Sequence, residues 1–252
     1  MKLLLHVSFM GTNYCGYQVQ PNGITVQQKL NEAARALFGY ECDIIGCSRT
    51  DSGVHANQFC VTVSKKGVNS LDTTIPTERI PQAIAPYLPD DIAVFDAQQV
   101  SESFHPRYDV KYKEYVYQIW NRPERNPFVY DRSWHYPKHI SDKALAQMNL
   151  AAAHFVGTHD FASYMASDSK ICDTVRTIYE AEVIRKDDMV IFRVCANGFL
   201  YNMVRILTGT LLAVAEGKIT PNDIPLITDA KDRRFAGITV PAHGLFLNRV
   251  VY

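Results

Sequence analysis

Leu3 to Met10 is an apolar run closed by Gly11-Thr12-Asn13, the pattern of a buried strand. Thr25 follows as a helix N-cap: Val26, Leu30, Ala33, Leu37 and Phe38 recur on one face at helical spacing, and Gly39 supplies the stop. The apolar runs Cys42 to Cys47 and Phe59 to Val63 predict two short strands around a polar loop, so the opening unit reads β-α-β-β. Lys65 to Ile75 is polar and predicts a surface loop. Thr77 to Leu88 predicts a helix shortened or kinked by Pro81 and Pro86, and Ile92 to Val100 another strand. In Asp109 to Trp120 the alternation changes phase, with Val110 and Tyr112 on one phase and Tyr115, Tyr117 and Ile119 on the other. That change predicts either a β-bulge or a strand buried on both faces.

Asn121 to Asn126 reads as a charged turn and Val129 to Tyr136 as a strand. Ser141 caps a helix to about Phe155, and Gly157 to Asp168 is a loop. Val175 to Arg185 and Met189 to Cys195, joined through Lys186-Asp187-Asp188, predict a hairpin. Phe199 to Val214 is a long amphipathic helix stopped by Gly217, with Arg205 beside its apolar stripe. Thr220-Pro221 opens a short helix, and Leu245 to Tyr252 is the final strand. The second unit is roughly α-β-β-α-β, an echo of the first without a sequence repeat.

The 252 residues suit one large domain or two of ordinary size, and the composition is that of a soluble globule. The net charge of zero argues against nonspecific polyanion binding by the whole surface. It hides an asymmetry. Residues 1–104 carry seven Lys and Arg against ten Asp and Glu, and residues 105–252 nineteen against sixteen. The sign changes at Ser101 to Arg107, the expected junction between halves 1–104 and 105–252, and any nucleic-acid footprint should be local and weighted to the second half. Met1 to Leu5 is too short for a signal sequence, and no run lacks charge long enough to span a membrane. The six Cys form no CxxC pair and read as reduced thiols of a cytoplasmic protein.

The polar loop Ser48 to Ala56 carries more than a turn requires. Arg49 stands two residues before Asp51, with Gly53 available for a positive φ and His55 shortly after. From spacing alone Asp51 reads first as an Asx-turn residue, with Arg49 a solvated charge, and only second as a carboxylate presented to a cleft. Gly46-Cys47-Ser48-Arg49-Thr50 fails as a G-x-S-x-G elbow because Thr50 stands where the second Gly is needed. Ser48, Asp51 and His55 are also too close to assemble a relay. His154 and His159, five apart, cannot share a helix face as metal ligands do, and no metal is expected.

Arg49-Thr50-Asp51-Ser52-Gly53-Val54-His55-Ala56 resembles the R-T-D-[AS]-G-V-H-A signature of the TruA family of tRNA pseudouridine synthases. Further matches run along nearly the whole chain: Gly11 to Gln18, Thr25 to Gln27, Ser103 to His105, Tyr115-x-Tyr117, Gly157 to Phe161, Phe199 to Arg205 and Pro241 to Leu245. Cys47-Ser48 and Ile206-Leu207-Thr208 depart from the family's more usual residues without touching a reactive group.

The resemblance implies an α+β fold of two ferredoxin-like halves joining antiparallel sheets around a central cleft. The first half would carry the Asp51 loop, the second the Tyr115 strand and the Arg205 helix. It implies isomerisation of uridine to pseudouridine in the anticodon arm of tRNA, at positions 38 to 40, without cofactor or metal. Asp51 would be the nucleophile, toward the base or the ribose. Arg205 would be its counter-charge, Tyr115 the aromatic face receiving a flipped base, and Arg49 a phosphate ligand or the filler of the vacated space. On pattern alone Tyr115 reads as core packing and Arg205 as a side chain reaching solvent. The family is homodimeric, and Arg107, Lys111, Lys113, Arg122, Arg125 and Arg132 are candidates for a tRNA-binding stripe. Two alternatives stand beside this reading: a noncatalytic structured-RNA-binding protein on the same fold, and a hydrolase using Ser48 or Ser52.

Overall fold

The apolar runs become strands in two mostly antiparallel arrays, each with its own helices. The computed structural model describes residues 1–169 and 171–252. They divide into a first unit, Met1–Lys111 with Leu247–Tyr252, and a second, Tyr112–Phe246. The division thus falls a few residues beyond the change in charge. Residues 104–111 stay with the first unit because the chain's end holds them there. Lys111 N donates to the Val251 carbonyl at 2.8 Å, the Tyr252 phenol donates to the Pro106 carbonyl at 2.9 Å, and the Phe104 and Tyr252 rings meet edge to face at 4.9 Å.

In the first unit β1 (Lys2–Phe9) pairs antiparallel with β3 (His55–Lys65) and β4 (Ile92–Val100). β2 (Cys42–Gly46) pairs with β3, and β10 (Leu245–Val251) lies beside β3 on its other side. Helix α1 (Val26–Phe38) starts where Thr25 Oγ1 accepts from Gln28 N and ends at Gly39 with φ 78°, the capping the sequence predicts. Pro81 and Pro86 confine α2 to Ile80–Ile84 between single 3-10 turns. Leu3, Leu5, Val7, Leu30, Phe59 and Ile80 are fully buried among these elements, each worth roughly 1.5–3 kcal/mol of transfer free energy.

In the second unit β5 (Tyr112–Trp120), β9 (Met189–Ala196), β8 (Val175–Lys186) and β7 (Gly157–Asp160) follow in that order, antiparallel throughout. Helix α3 (Asp142–Ala153), capped by Ser141, packs on β8 and on α4 (Met203–Ala215), while α5 (Asp223–Ala230) packs near β7.

Three expectations need correction. β5 has neither a bulge nor two buried faces: its register with β9 is unbroken, and Lys113, Tyr115, Tyr117 and Ile119 are buried while the alternate residues are half-exposed. The change of phase marks the start of the strand, since Val110 lies before it. The strand expected over Val129 to Tyr136 shrinks to β6 (Trp134–His135), because residues 126–132 close on themselves through Val129 N to Asn126 O and Arg132 N to Val129 O. Within the expected loop Gly157 to Asp168, the first four residues form β7.

Candidate active site

The Asp51 loop joins β2 to β3. Val54 N donates to the Asp51 carbonyl at 3.1 Å, closing a four-residue turn, and Gly53 has φ 79° at the third position, where a type II turn demands it. The loop is held from outside by residues 11–17. Gly11 N donates to His55 Nδ1 at 2.9 Å, Tyr17 N to the Thr50 carbonyl at 3.1 Å, and Ser52 Oγ to the Tyr14 carbonyl at 3.1 Å. Gly11 lies so close that a Cβ there would stand 2.0 Å from the Val54 carbonyl oxygen, so the position has room for glycine alone. The Tyr17 ring fills the space over Gly46 and packs on Phe59 at 4.4 Å. On this clamp Asp51 is half-buried, Arg49 exposed, and His55 fully buried.

In the second unit the other two residues stand on regular elements, Tyr115 on β5 and Arg205 on α4. Arg205 is the only charged residue of α4, a 13-residue helix with ten buried positions, and it stands in the first turn. A cation there opposes the helix dipole, at a cost of about 0.3–1 kcal/mol. It does not run out to solvent along its stem. Nε donates to the Val240 carbonyl at 2.7 Å and Nη1 to Asn202 Oδ1 at 2.6 Å. The next carbonyl, that of Pro241, accepts from the Tyr117 phenol at 2.7 Å, so successive carbonyls tie α4 and β5 to the same segment. Burial pushes the Tyr117 phenol well above its ordinary range, with Arg205 opposing. Burial also holds the His243 imidazole below its ordinary range; Asp131 opposes this and Arg205 adds to it. Tyr115 is buried, its ring meeting Phe199, just before α4, edge to face at 5.0 Å.

The six stripe candidates are not equivalent. Lys113 is buried and offers no surface charge, and Lys111 Nζ donates to the Tyr252 carbonyl at 2.9 Å. Arg122 pairs with Glu124 and Asp188 at 3.6 and 3.5 Å, and Arg132 with Asp131 at 3.8 Å. Arg125 is exposed and Arg107 half-buried. Sequence reasoning missed Asn202, Tyr117 and the Val240–Pro241 carbonyls. Asn202 ahead of an apolar helix looks like an ordinary cap, and backbone acceptors leave no trace in composition. Among the described residues no group of three His, Cys, Asp or Glu gathers as metal ligands would, and no helix is long and apolar enough to cross a membrane.

The first unit thus fixes a half-buried carboxylate on a clamped loop, and the second anchors an arginine at a helix start. The tRNA pseudouridine synthase family matches residues 5–109 and 151–252. Proteins named tRNA pseudouridine synthase A are 42% identical in Thermoanaerobacter sp. (strain X514), covering 99% of each chain, and 41% identical in Clostridium acetobutylicum, covering 98% of each. The Exiguobacterium sp. protein of that name is 43% identical over 100% of this chain and 98% of its own. Among solved structures, a Cbf5-Nop10-Gar1 complex covers 83% of this chain and 44% of that one at 14% identity, with a TM-score of 0.38. That likeness is too slight to bear on the fold. The chain belongs to the tRNA pseudouridine synthase family, a family of isomerases.

Proposed function

We propose that this chain converts uridine to pseudouridine in the anticodon arm of tRNA, at positions 38 to 40 on the family's pattern, with Asp51 as nucleophile. The reaction breaks the N1 glycosidic bond, turns the uracil and joins C5 to the ribose; the C5 proton is given up and one is taken up at N1, so product and substrate have the same atoms. It therefore asks the protein for a placed anion, a counter-charge and a pocket for the base. A carboxylate of ordinary pKa near ~4 is already ionised at neutral pH. Asp51 attacks either the base or the ribose carbon.

The observation that carries this reading is the clamp around the Asp51 loop, which holds the backbone on either side of a half-buried carboxylate at three points, through Thr50 O, Ser52 Oγ and His55 Nδ1. Placement to within about half an ångström is what a nucleophile needs and a surface turn does not. Arg205 supplies the counter-charge to Asp51 on the family's pattern, and its guanidinium is already oriented by two hydrogen bonds. Tyr115, on a regular strand, receives the flipped uracil, whose extrusion costs a few kcal/mol. Arg49, exposed on the same loop as Asp51, holds a phosphate or fills the vacated stack. The protein works in the cytoplasm as a homodimer that shares one tRNA, with the exposed Arg122, Arg125 and Arg132 among its phosphate contacts.

The test is to incubate purified protein with uridine-labelled tRNA transcripts, with nothing else added, and map pseudouridine by position. Product at 38 to 40 from wild type, and none from an Asp51→Asn variant that still binds tRNA, is the expected result. Product elsewhere removes the anticodon-arm assignment. An undiminished Asp51→Asn rate removes the nucleophile, and with no product from wild type the noncatalytic RNA-binding alternative takes its place.

A further inference from the structure

We infer that Asn202 is a positioning residue that aims Arg205, an inference resting on the role given to Arg205 above. Asn202 occupies the N-cap of α4, where an Asn ordinarily spends its side-chain oxygen on the helix's own free N–H groups. Here it makes no such bond; Oδ1 accepts instead from Arg205 Nη1 at 2.6 Å. Its backbone is left-handed, φ 60° and ψ 8°, one of three described non-glycine residues with positive φ. Glycine takes that conformation without strain, whereas a side chain there is disfavoured, Asn least among them. A turn alone would thus be served better by Gly, and a helix start by a residue that caps.

The position satisfies neither local preference, and Arg205 adds a cation at the wrong end of the helix dipole. Three local costs meet at one contact, which is the pattern of strain kept for a purpose. The contact has a definite effect. With Nε on the Val240 carbonyl and Nη1 on Asn202, the plane of the guanidinium is fixed at two of its three nitrogens, so the direction of its other N–H groups is fixed as well. Without the Asn oxygen the anchor at Nη1 is lost, and the guanidinium is held less firmly in that plane. A counter-charge so loosened stabilises the reacting carboxylate less, while tRNA, held by contacts elsewhere, binds as before. The signature is a loss in rate without a loss in affinity.

The experiment measures the single-turnover rate on tRNA, the tRNA Kd and the thermal midpoint for wild type, Asn202→Gly, Asn202→Asp and Arg205→Ala. Asn202→Gly keeps the left-handed turn and deletes the oxygen. It is expected to slow the rate at least about tenfold, with Kd within about twofold and the midpoint at or above that of wild type. Asn202→Asp, which keeps an acceptor oxygen in place, should stay within about threefold of the wild-type rate. A Gly variant as fast as wild type, or an Asp variant as slow as Gly, overturns the inference. If Gly lowers the midpoint, Asn202→Ser, too short to reach the guanidinium, replaces it: Ser slow and Asp fast supports the inference, equal rates overturn it. Arg205→Ala separates the two levels. If it is slow while Asn202→Gly is not, the inference alone fails; if it runs at the wild-type rate, the role given to Arg205 fails and takes the inference with it.

Discussion

The two units secure their candidate site residues by different means. In the first, one stretch of main chain is pressed against another: residues from Gly11 to Tyr17 meet residues 50–55 through main-chain groups and the short side chains of Ser52 and His55, with one glycine too close to its neighbour for any side chain. In the second, side chains on regular elements reach carbonyls of one extended segment: Arg205 to Val240, Tyr117 to Pro241. A backbone clamp has almost no intermediate settings, because a carbon atom either fits or forces the loop to move. Side-chain anchors act singly, each contributing on the order of 1 kcal/mol net. Substitutions around the first site should therefore act as all or nothing, and those around the second in steps.

The sharpest test is Asp51→Asn, which leaves the clamp intact and removes the charge. Turnover should fall at least about a thousandfold with the thermal midpoint and tRNA Kd near wild type, the loss expected when a nucleophile is removed. A tenfold loss or less would make Asp51 an accessory group. Next is Gly11→Ala, whose added carbon would sit 2.0 Å from the Val54 oxygen. Forcing the two segments apart should cost roughly 3 kcal/mol, read as a lowered urea midpoint, together with a slower rate. An Ala variant of wild-type stability would show that the first unit yields as the second does.

How much of this was legible in the chain follows from the same contrast. The α1 helix, with Thr25 and Gly39 as its caps, and the β8–β9 hairpin could be read directly, because local rules set them. The loop carrying Asp51 was found by its signature residues, yet composition could not say why Gly11 to Gln18 accompanies it, since that contact joins positions about forty apart. Tyr115 and Tyr117 were put on one phase as the structure has them, but Val110 lies outside β5, so a strand start read as a bulge. Val129 to Tyr136 has strand-like residues, and local turns through Asn126 and Val129 prevail over them. Arg205 looked like a solvent-seeking side chain because its partners include a main-chain carbonyl 35 residues away.

Tyr117→Phe measures one step of the second unit's anchoring. It removes the phenol that donates to the Pro241 carbonyl at 2.7 Å and keeps the ring, which is fully buried. Leaving that acceptor unpaired should cost about 1–2 kcal/mol. If the Val240–Pro241 segment moves, the Arg205 anchor loosens with it, so a loss of a few fold in rate should accompany the loss in stability. A rate unchanged at lower stability would separate the two anchors.

The smallest effect asks whether acid loosens the second unit before the first. At the end of α4 the Glu216 carboxylate accepts from the Tyr136 phenol at 2.6 Å and pairs with Lys218 and, at 3.4 Å, with Lys138. Lys218 first, then the Tyr136 hydrogen bond, hold its pKa down at about 2, below the ordinary 4.5. A carboxyl whose folded-state pKa is depressed contributes stability that is fully present above the unfolded value. Here that means above about 4.5, with loss as the pH falls toward about 2. Both lysines are largely exposed, so solvent screens the pairs and the whole contribution is at most about 1 kcal/mol. Glu216→Gln should lie below wild type by that amount at pH 6, and the two should converge as the pH approaches 2. Of the clamp hydrogen bonds of the first unit, those at Thr50 and Ser52 involve no ionisable group. Amide protection factors between pH 5 and 3 should therefore fall first in the last turn of α4, while the Tyr17 amide, held by the Thr50 carbonyl, stays protected. Loss of protection in the clamp first, or a Gln variant whose stability tracks wild type at every pH, would mean that the Glu216 anchor contributes nothing measurable.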